Sequence, residues 1–250
     1  TMQIIISPAK KMKVDVDSFA PEGLPIFLAE TERLKTTLQG MTPEALQALW
    51  RCNDAIARQN VERLESMDLR CRLTPAILSY EGIQYQYMAP GVFTEEQLQY
   101  IREHLRILSG FYGILRPFDG VTPYRLEMQT RLSIDGCRDL YAFWGGKLAE
   151  RLAEETDCVL NLASKEYSRS VEPWLPPSVR FITCIFGELQ GEKVVEKGTM
   201  CKMARGQMVR WLAVNGIEQA EDVRGFDELD YRFAEELSGK DHYIFIKGGN

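Results

Sequence analysis

The stretch MQIIISPAK, residues 2–10, contains the strand around which we expect the fold to be arranged. Its isoleucine-rich run is typical of a strand that is buried on both faces of a sheet. The run ends at Ser7 and Pro8, and Lys10 follows. The sequence therefore predicts a buried strand whose carboxyl end presents Ser7 and Lys10.

A second stretch, CVLNLASKEYSRSV (residues 158–171), has the same arrangement. Its apolar run predicts another buried strand, and Ser164 and Lys165 follow where a turn or helix begins. If the two strands are parallel neighbours, both end at the same edge of the sheet, where α/β proteins tend to bind ligands. We therefore expect Ser7, Lys10, Ser164 and Lys165 to lie together.

Helical patterns occupy much of the first half of the chain. Residues 25–65 predict helices that cover the sheet, one of them with Thr42 as N-cap before Pro43. Thr94 starts a further helix with a capping-box signature. The predicted apolar face of that helix consists of Leu98, Ile101, Leu105 and Leu108.

The second half predicts both strands and a long helix. A hairpin should turn at Gln190 and Gly191, and a helix capped by Thr199 should end before Gly216. The segments YRFAEEL and HYIFIK predict a closing antiparallel pair. The expected fold class is mixed α/β (α+β), a single domain over residues 1–250 with a central mixed sheet and covering helices.

Composition narrows the class of protein. The chain has 250 residues, 45% of them hydrophobic and 26% charged, as in ordinary globular domains. No run is long enough to cross a membrane, and because a strand-like run begins at Met2 we expect no secretory signal. The six cysteines form no CxxC pair, which indicates reduced thiols and a cytoplasmic protein. The net charge of −6 argues against a basic surface overall but leaves room for a local basic groove.

Common catalytic and cofactor motifs are absent. The sequence contains no GxxxxGK[ST], GxGxxG or HExxH, so we predict no cofactor. Its two histidines, His104 and His242, have no histidine or cysteine neighbour at ligand spacing, so we predict structural roles and no metal site. SPAK matches the S-x-x-K pattern of acyl enzymes, but the companion motifs SDN and KTG are missing. We therefore expect Ser7 to bind rather than to attack, and we assign no catalytic residue.

Two groups of cations are candidates for binding an anion. Lys202 and Arg205 share one face of the helix after Thr199, and Gly206 beside them indicates close approach of a ligand or another backbone. A solvent-exposed face explains the two cations equally well. The second group combines cations with aromatic side chains, which suits nucleotides but also suits arginines that bridge loops. Its members are Arg106, Arg116, Arg125, Arg131, Phe111, Tyr112, Phe118 and Tyr124.

At these residues the sequence resembles the YaaA family of bacterial peroxide-stress resistance proteins. The matching stretches extend from the first strand to near the C-terminus: ISPAK, HLRILSGFYGILRPFDGVTPYRLEM, DLYAFWG, VLNLASKEYSRSV, KMARGQMVRWL and GFDELDYRF. The resemblance implies a cytoplasmic protein that limits peroxide damage and lowers available intracellular iron. It also implies a mixed α/β fold with a positively charged cleft. A DNA-binding element like a helix-hairpin-helix would correspond to the helix expected to end near Leu108 and the turn from Ser109 to Gly113.

Two functions are therefore expected from the sequence. The leading hypothesis is binding of double-stranded DNA without strong sequence preference, through backbone phosphates held in one basic cleft. The alternative is an enzyme on a small anionic metabolite, with phosphate or carboxylate clamped by the same cations and a proton moved by a lysine or by Tyr167 with Lys165. A protein-interaction module is a third, weaker possibility. The residues expected to contact nucleic acid or anion are Ser7, Lys10, Arg106, Gly110, Gly113, Arg116, Tyr124, Arg125, Lys165, Tyr167, Lys202 and Arg205.

Overall fold

The computed structural model describes residues 1–248 and has the predicted mixed α/β architecture. Its strands are β1 (Gln3–Ile6), β2 (Lys11–Met12), β3 (Thr74–Pro75), β4 (Tyr80–Glu81), β5 (Leu105–Ser109), β6 (Gly113–Leu115), β7 (Gly120–Val121), β8 (Cys158–Leu162), β9 (Arg180–Gln190), β10 (Lys193–Val195), β11 (Tyr231–Phe233) and β12 (His242–Lys247). Its α-helices are α1 (Leu28–Gln39), α2 (Pro43–Trp50), α3 (Asp54–Glu65), α4 (Ala76–Ser79), α5 (Ile83–Met88), α6 (Glu95–His104), α7 (Leu140–Trp144), α8 (Lys147–Glu155), α9 (Lys165–Ser168) and α10 (Gly198–Asn215). Short 3-10 helices span Pro90–Val92, Glu172–Trp174, Ala220–Gly225 and Glu235–Leu237.

An eight-stranded mixed sheet forms the centre of the protein, in the order β11-β12-β9-β8-β1-β5-β6 with β10 paired to β9. The strands from β12 to β5 are all parallel, while β11, β6 and β10 join antiparallel. Strands from both ends of the chain meet in this sheet. The predicted hairpin after β9 and the closing pair of β11 with β12 are confirmed.

The parallel pairing of β1 with β8 confirms the central prediction from the sequence. Ile6 lies opposite Leu162, so the two strands end side by side. Every residue of β1 is buried, and Ile4, Ile5 and Ile6 have no exposed surface. Apolar side chains on both faces of a strand are what a sheet covered by helices requires.

Several predicted helix ends are confirmed. The Thr42 side chain accepts from the Ala45 N–H, and Thr94 forms the predicted capping box with Gln97. Helix α10 ends at Gly216 in a left-handed conformation, as a C-terminal glycine favours.

Two predicted boundaries were wrong. Helix α6 stops at His104, and Leu105 and Leu108 belong to β5, because pairing of this buried run with β1 outweighs its helical periodicity. Thr199 does not cap α10, since the helix already begins at Gly198 and the Lys197 carbonyl accepts the first helical bond from Cys201.

No helix among residues 1–248 is long and apolar enough to cross a membrane.

Close packing of two helices explains Gly206. This residue is buried in α10, and a Cβ there would overlap the backbone carbonyl of Gln84 in α5. The approach of another backbone, one of the two explanations considered above, is therefore the one found. The contact fixes α10 beside the ends of β1 and β8.

The substitution Gly206→Ala should therefore destabilise the protein, although alanine is more favourable than glycine within a helix by about 1 kcal/mol. We expect the overlap with Gln84 to lower the free energy of unfolding by about 3 kcal/mol, measured by urea denaturation. Gly198→Ala is the matched control, because a Cβ at this first position of the same helix meets nothing within 4 Å. Equal stability of the two variants would contradict this account of the helix contact.

Candidate anion site

A cavity of about 400 Å³ lies where β1 and β8 end. Its walls come from the segment after β1, the segment from β4 into α5, the start of α9, and α10. The residues that line it are Ser7, Pro8, Ala9, Lys10, Lys11, Glu81, Gly82, Ile83, Gln84, Tyr85, Glu127, Ser164, Glu166, Tyr167, Lys202 and Arg205. The edge of the sheet predicted to bind a ligand is therefore concave.

The two serines join the strand ends at the floor of the cavity. The Ser164 N–H donates to Ser7 Oγ at 2.8 Å, and the two hydroxyl oxygens lie 3.2 Å apart. The Tyr85 hydroxyl donates to the Ser7 carbonyl at 2.8 Å. Lys10 turns instead to Glu127, with Nζ 3.4 Å from the carboxylate, and its side chain is mostly exposed. These contacts hold Ser7 in place and give its hydroxyl no general base among the described residues.

Helix α10 contributes two cations to the opposite wall. Lys202 is exposed and Arg205 is partly buried, and both line the cavity. The Nε atom of Arg205 is buried and has no hydrogen-bond partner in residues 1–248. The side-chain nitrogen of Gln84, on the neighbouring wall, is also buried and has no hydrogen-bond partner in the described residues. Because an unsatisfied buried donor costs about 1–3 kcal/mol, these groups favour an acceptor in the cavity.

Carboxylates balance much of the positive charge. Lys10, Lys11, Lys202 and Arg205 share the cavity with Glu81, Glu127 and Glu166. The three glutamates are not among the contact residues predicted from the sequence. Glu166 follows Lys165 directly and could have been noticed there, whereas no sequence pattern links Glu81 and Glu127 to the ends of β1 and β8.

Burial raises the pKa of two groups that line the cavity. It raises the pKa of Glu166 above its ordinary value, and the nearby Glu127 carboxylate raises it further, while the Gln129 N–H and Lys10 oppose the shift. Burial also raises the pKa of the Tyr167 hydroxyl well above its ordinary range. Tyr167 is therefore a hydrogen-bond donor at neutral pH rather than a base, and Glu166 is the carboxyl best suited to exchange a proton.

The second group of cations is not brought to the cavity. Arg106 is buried in β5, where Nε donates to Glu155 at 3.0 Å and Nη1 donates to two backbone carbonyls. Arg116 Nε donates to Asp119 at 2.9 Å, and Nη2 donates to the Leu24 carbonyl. These arginines bridge elements of the fold. Arg125, which is partly buried, and Lys165, which is exposed, also do not line the cavity.

The turn between β5 and β6 is enclosed. The N–H groups of Phe111 and Tyr112 donate to Ser109 Oγ, and the Gly110 carbonyl accepts from the Trp144 indole at 3.0 Å. Gly113 adopts a left-handed conformation with φ of 77° and packs against Trp144. These backbone groups are buried inside the protein and do not face the cavity, unlike the exposed turn expected of a phosphate-binding hairpin.

Tyr124 belongs to the same buried region. Its hydroxyl lies 2.7 Å from the Tyr80 hydroxyl and 2.6 Å from Ser109 Oγ. Of the twelve predicted contact residues, the structure thus brings five to one cavity. These five are Ser7, Lys10, Tyr167, Lys202 and Arg205.

The structure is that of a mixed α/β protein with a ligand-sized cavity, lined by charged and apolar side chains, at the carboxyl ends of parallel strands. Residues 2–237 match the family model described as "Peroxide stress protein YaaA". The chain therefore belongs to the YaaA family of peroxide-stress proteins.

Curated relatives extend over almost the whole chain and are named UPF0246 protein. The relative from Lachnoclostridium phytofermentans is 53% identical over 247 residues, covering 99% of this chain and 97% of the relative. The relative from Pediococcus pentosaceus is 51% identical over 246 residues, with 98% of each chain covered. The relative from Agathobacter rectalis is 50% identical over 244 residues, again with 98% of each covered.

The raised pKa of Glu166 predicts a pH-dependent cost to stability. Below its ordinary pKa of 4.5 the carboxyl is protonated in both folded and unfolded states. As the pH rises through the higher folded-state pKa, the partly buried carboxylate ionises and stability is lost. Glu166→Gln should therefore raise Tm by on the order of 2 °C at neutral pH, and by less as the pH falls towards 4.5.

Differential scanning fluorimetry across this pH range measures the effect, with the exposed Glu172→Gln as control. A gain from Glu166→Gln that did not change with pH, or that grew as the pH fell, would contradict the burial of this carboxyl.

Proposed function

We propose that this protein acts in the peroxide-stress response by binding a small anionic metabolite, a phosphate or a carboxylate, in the cavity at the ends of β1 and β8. The observation that supports this most is the unpartnered, buried Arg205 Nε beside Lys202. A guanidinium whose Nε has no acceptor within residues 1–248 is suited to binding two oxygens of a carboxylate or phosphate at once.

The size of the cavity favours a small ligand over a duplex. A volume of about 400 Å³ falls in the range of pockets that hold metabolites. Duplex DNA needs a longer basic surface, because each phosphate contacted requires its own donor. Here three glutamates lie among the four cations, and the chain carries a net charge of −6.

The chemistry of the lining suggests how a ligand would be held. Lys202 and Arg205 bind the anionic group, and the neutral Tyr167 hydroxyl donates a hydrogen bond to it. Ser7 donates its hydroxyl hydrogen to Ser164 Oγ, which leaves the Ser164 hydroxyl to donate to the ligand. Glu166, with its raised pKa, would be the group that exchanges a proton with the ligand in an enzymatic step. This replaces the lysine, or Tyr167 with Lys165, considered from the sequence.

Three of the six thiols are poorly suited to direct reaction with peroxide. Hydrogen peroxide reacts with thiolates, and burial raises the pKa of Cys158, Cys184 and Cys201, which favours the unreactive thiol. All six cysteines are free, in keeping with the proposed cytoplasmic location. We propose that the effect on available iron implied by the family resemblance follows from the bound metabolite.

DNA binding is the second candidate function. Lys10 and Lys202 are exposed at the cavity, and exposed lysines can contact a phosphate backbone without reading sequence. The logarithm of the DNA-binding constant would then fall with the logarithm of the salt concentration, with a slope of about −0.9 for each phosphate contacted.

The double variant Lys202→Ala/Arg205→Ala tests the proposal. We expect the wild-type protein to bind pyrophosphate or citrate in isothermal titration calorimetry, and the variant to bind about 100-fold more weakly, because two charge-assisted contacts are lost. Lys193→Ala/Arg232→Ala is the matched control, since it removes the same charge from exposed strand residues outside the cavity.

The same proteins should then be titrated with labelled duplex DNA across a salt series. Salt-dependent DNA binding that only the cavity variant weakens, without binding of either small anion, would replace the proposal with the second candidate. If both variants weakened small-anion binding equally, or if neither anion bound the wild-type protein, the proposal would be wrong.

A further inference from the structure

Three groups able to ligate a metal ion lie at the opposite end of β1 from the cavity. They are the carboxylates of Glu103 and Glu218 and the imidazole of His104, with one ligand atom of each within 4.8 Å of the others. Glu103 and His104 end α6, and Glu218 follows the C-terminal glycine of α10. No local pattern in the sequence indicates this group, because Glu218 is far from His104 along the chain.

The hydrogen bonding of His104 fixes which nitrogen is available. His104 Nδ1 lies 2.7 Å from the Met2 carbonyl, which can only accept, so Nδ1 carries a hydrogen. In the neutral ring, Nε2 is then an unprotonated acceptor. A backbone carbonyl that orients a histidine through its other nitrogen is the usual arrangement around a metal-bound imidazole.

His104 Nε2 faces another acceptor. Its side chain has no exposed surface, Nε2 forms no hydrogen bond within residues 1–248, and the nearest carboxylate oxygen of Glu218 is 3.4 Å away. Two acceptors in this position repel unless a proton or a metal ion lies between them. A separation of about 3.4 Å is also what two ligands about 2.1 Å from one ion subtend at a tetrahedral angle.

The charge around the imidazole suits a divalent cation. Among the described residues, no lysine or arginine forms an ion pair with Glu103 or Glu218. A divalent cation at this position would balance both carboxylates. The ring of Tyr100 packs against the His104 imidazole at a tilt, with the ring centroids 4.2 Å apart. The Tyr100 hydroxyl donates a hydrogen bond to the Ile217 carbonyl, so Tyr100 connects the imidazole to the segment that carries Glu218.

We propose that Glu103, His104 and Glu218 bind a divalent first-row transition metal ion such as Zn²⁺, with water completing the coordination. One imidazole and two carboxylates form a donor set that suits such ions. The site is separate from the cavity, since it lies at the amino end of β1 and shares no residue with the cavity lining.

Zn²⁺ binding to the metal-free full-length protein tests the site by isothermal titration calorimetry. We expect one ion per chain, and an affinity about 100-fold weaker in Glu218→Gln and in Glu103→Gln, because each removes a charged ligand at an exposed position. Glu96→Gln is the control, since Glu96 is an exposed glutamate of the same helix outside the cluster.

The ¹⁵N chemical shifts of the His104 ring separate the metal from a proton without changing the buried residue. We expect Zn²⁺ to shift Nε2 while Nδ1 keeps its hydrogen. The proposal would be overturned if Zn²⁺ did not bind, if it bound equally to all three variants, or if His104 remained protonated on both nitrogens in the presence of Zn²⁺.

Discussion

The parallel pairing of β1 with β8 is the constraint on which the rest of the structure depends. It places Ser7 against Ser164, where a backbone N–H to hydroxyl bond of 2.8 Å locks the two strand ends together. Parallel strands place their carboxyl ends at the same edge, so the polar segments after both strands must share one space. The apolar runs of both strands stabilise this pairing because helices cover the sheet and exclude water from it.

Helix packing then gives that shared space its charge. Gly206 allows α10 to approach the backbone of α5, and this approach brings Lys202 and Arg205 opposite the ends of the strands. Buried polar groups in native proteins almost always have partners. Among the buried side-chain nitrogens that have no partner within residues 1–248, Arg205 Nε and Gln84 Nε2 lie at the cavity, and His104 Nε2 lies at the other end of β1.

Local patterns in the sequence predicted much of the fold. The strands before Ser7 and Ser164, the caps at Thr42 and Thr94, and the end of α10 at Gly216 each depend on neighbouring residues, so a single sequence reveals them. Leu105 and Leu108 continue the helical spacing of Leu98 and Ile101, and only the pairing of this segment with β1 makes it a strand.

The lining of the cavity was predicted only in part, because some of its residues come from segments that are distant in sequence. Ser7, Lys10, Lys202 and Arg205 follow from strand ends and helix faces. Arg106 was also expected there, but it lies in β5 and pairs with Glu155 of α8, a long-range contact that no local pattern predicts. Glu81 and Glu127 also reach the cavity from parts of the chain that are distant in sequence from the ends of β1 and β8.

The most direct measurement of the central claim is the position of a heavy anion in the crystal. Crystals soaked in tungstate and measured at the tungsten absorption edge should show an anomalous peak in the cavity, within contact distance of Arg205 and Lys202. Peaks confined to the outer surface, or a peak at the turn between β5 and β6, would contradict the account that the ends of β1 and β8 form an anion site.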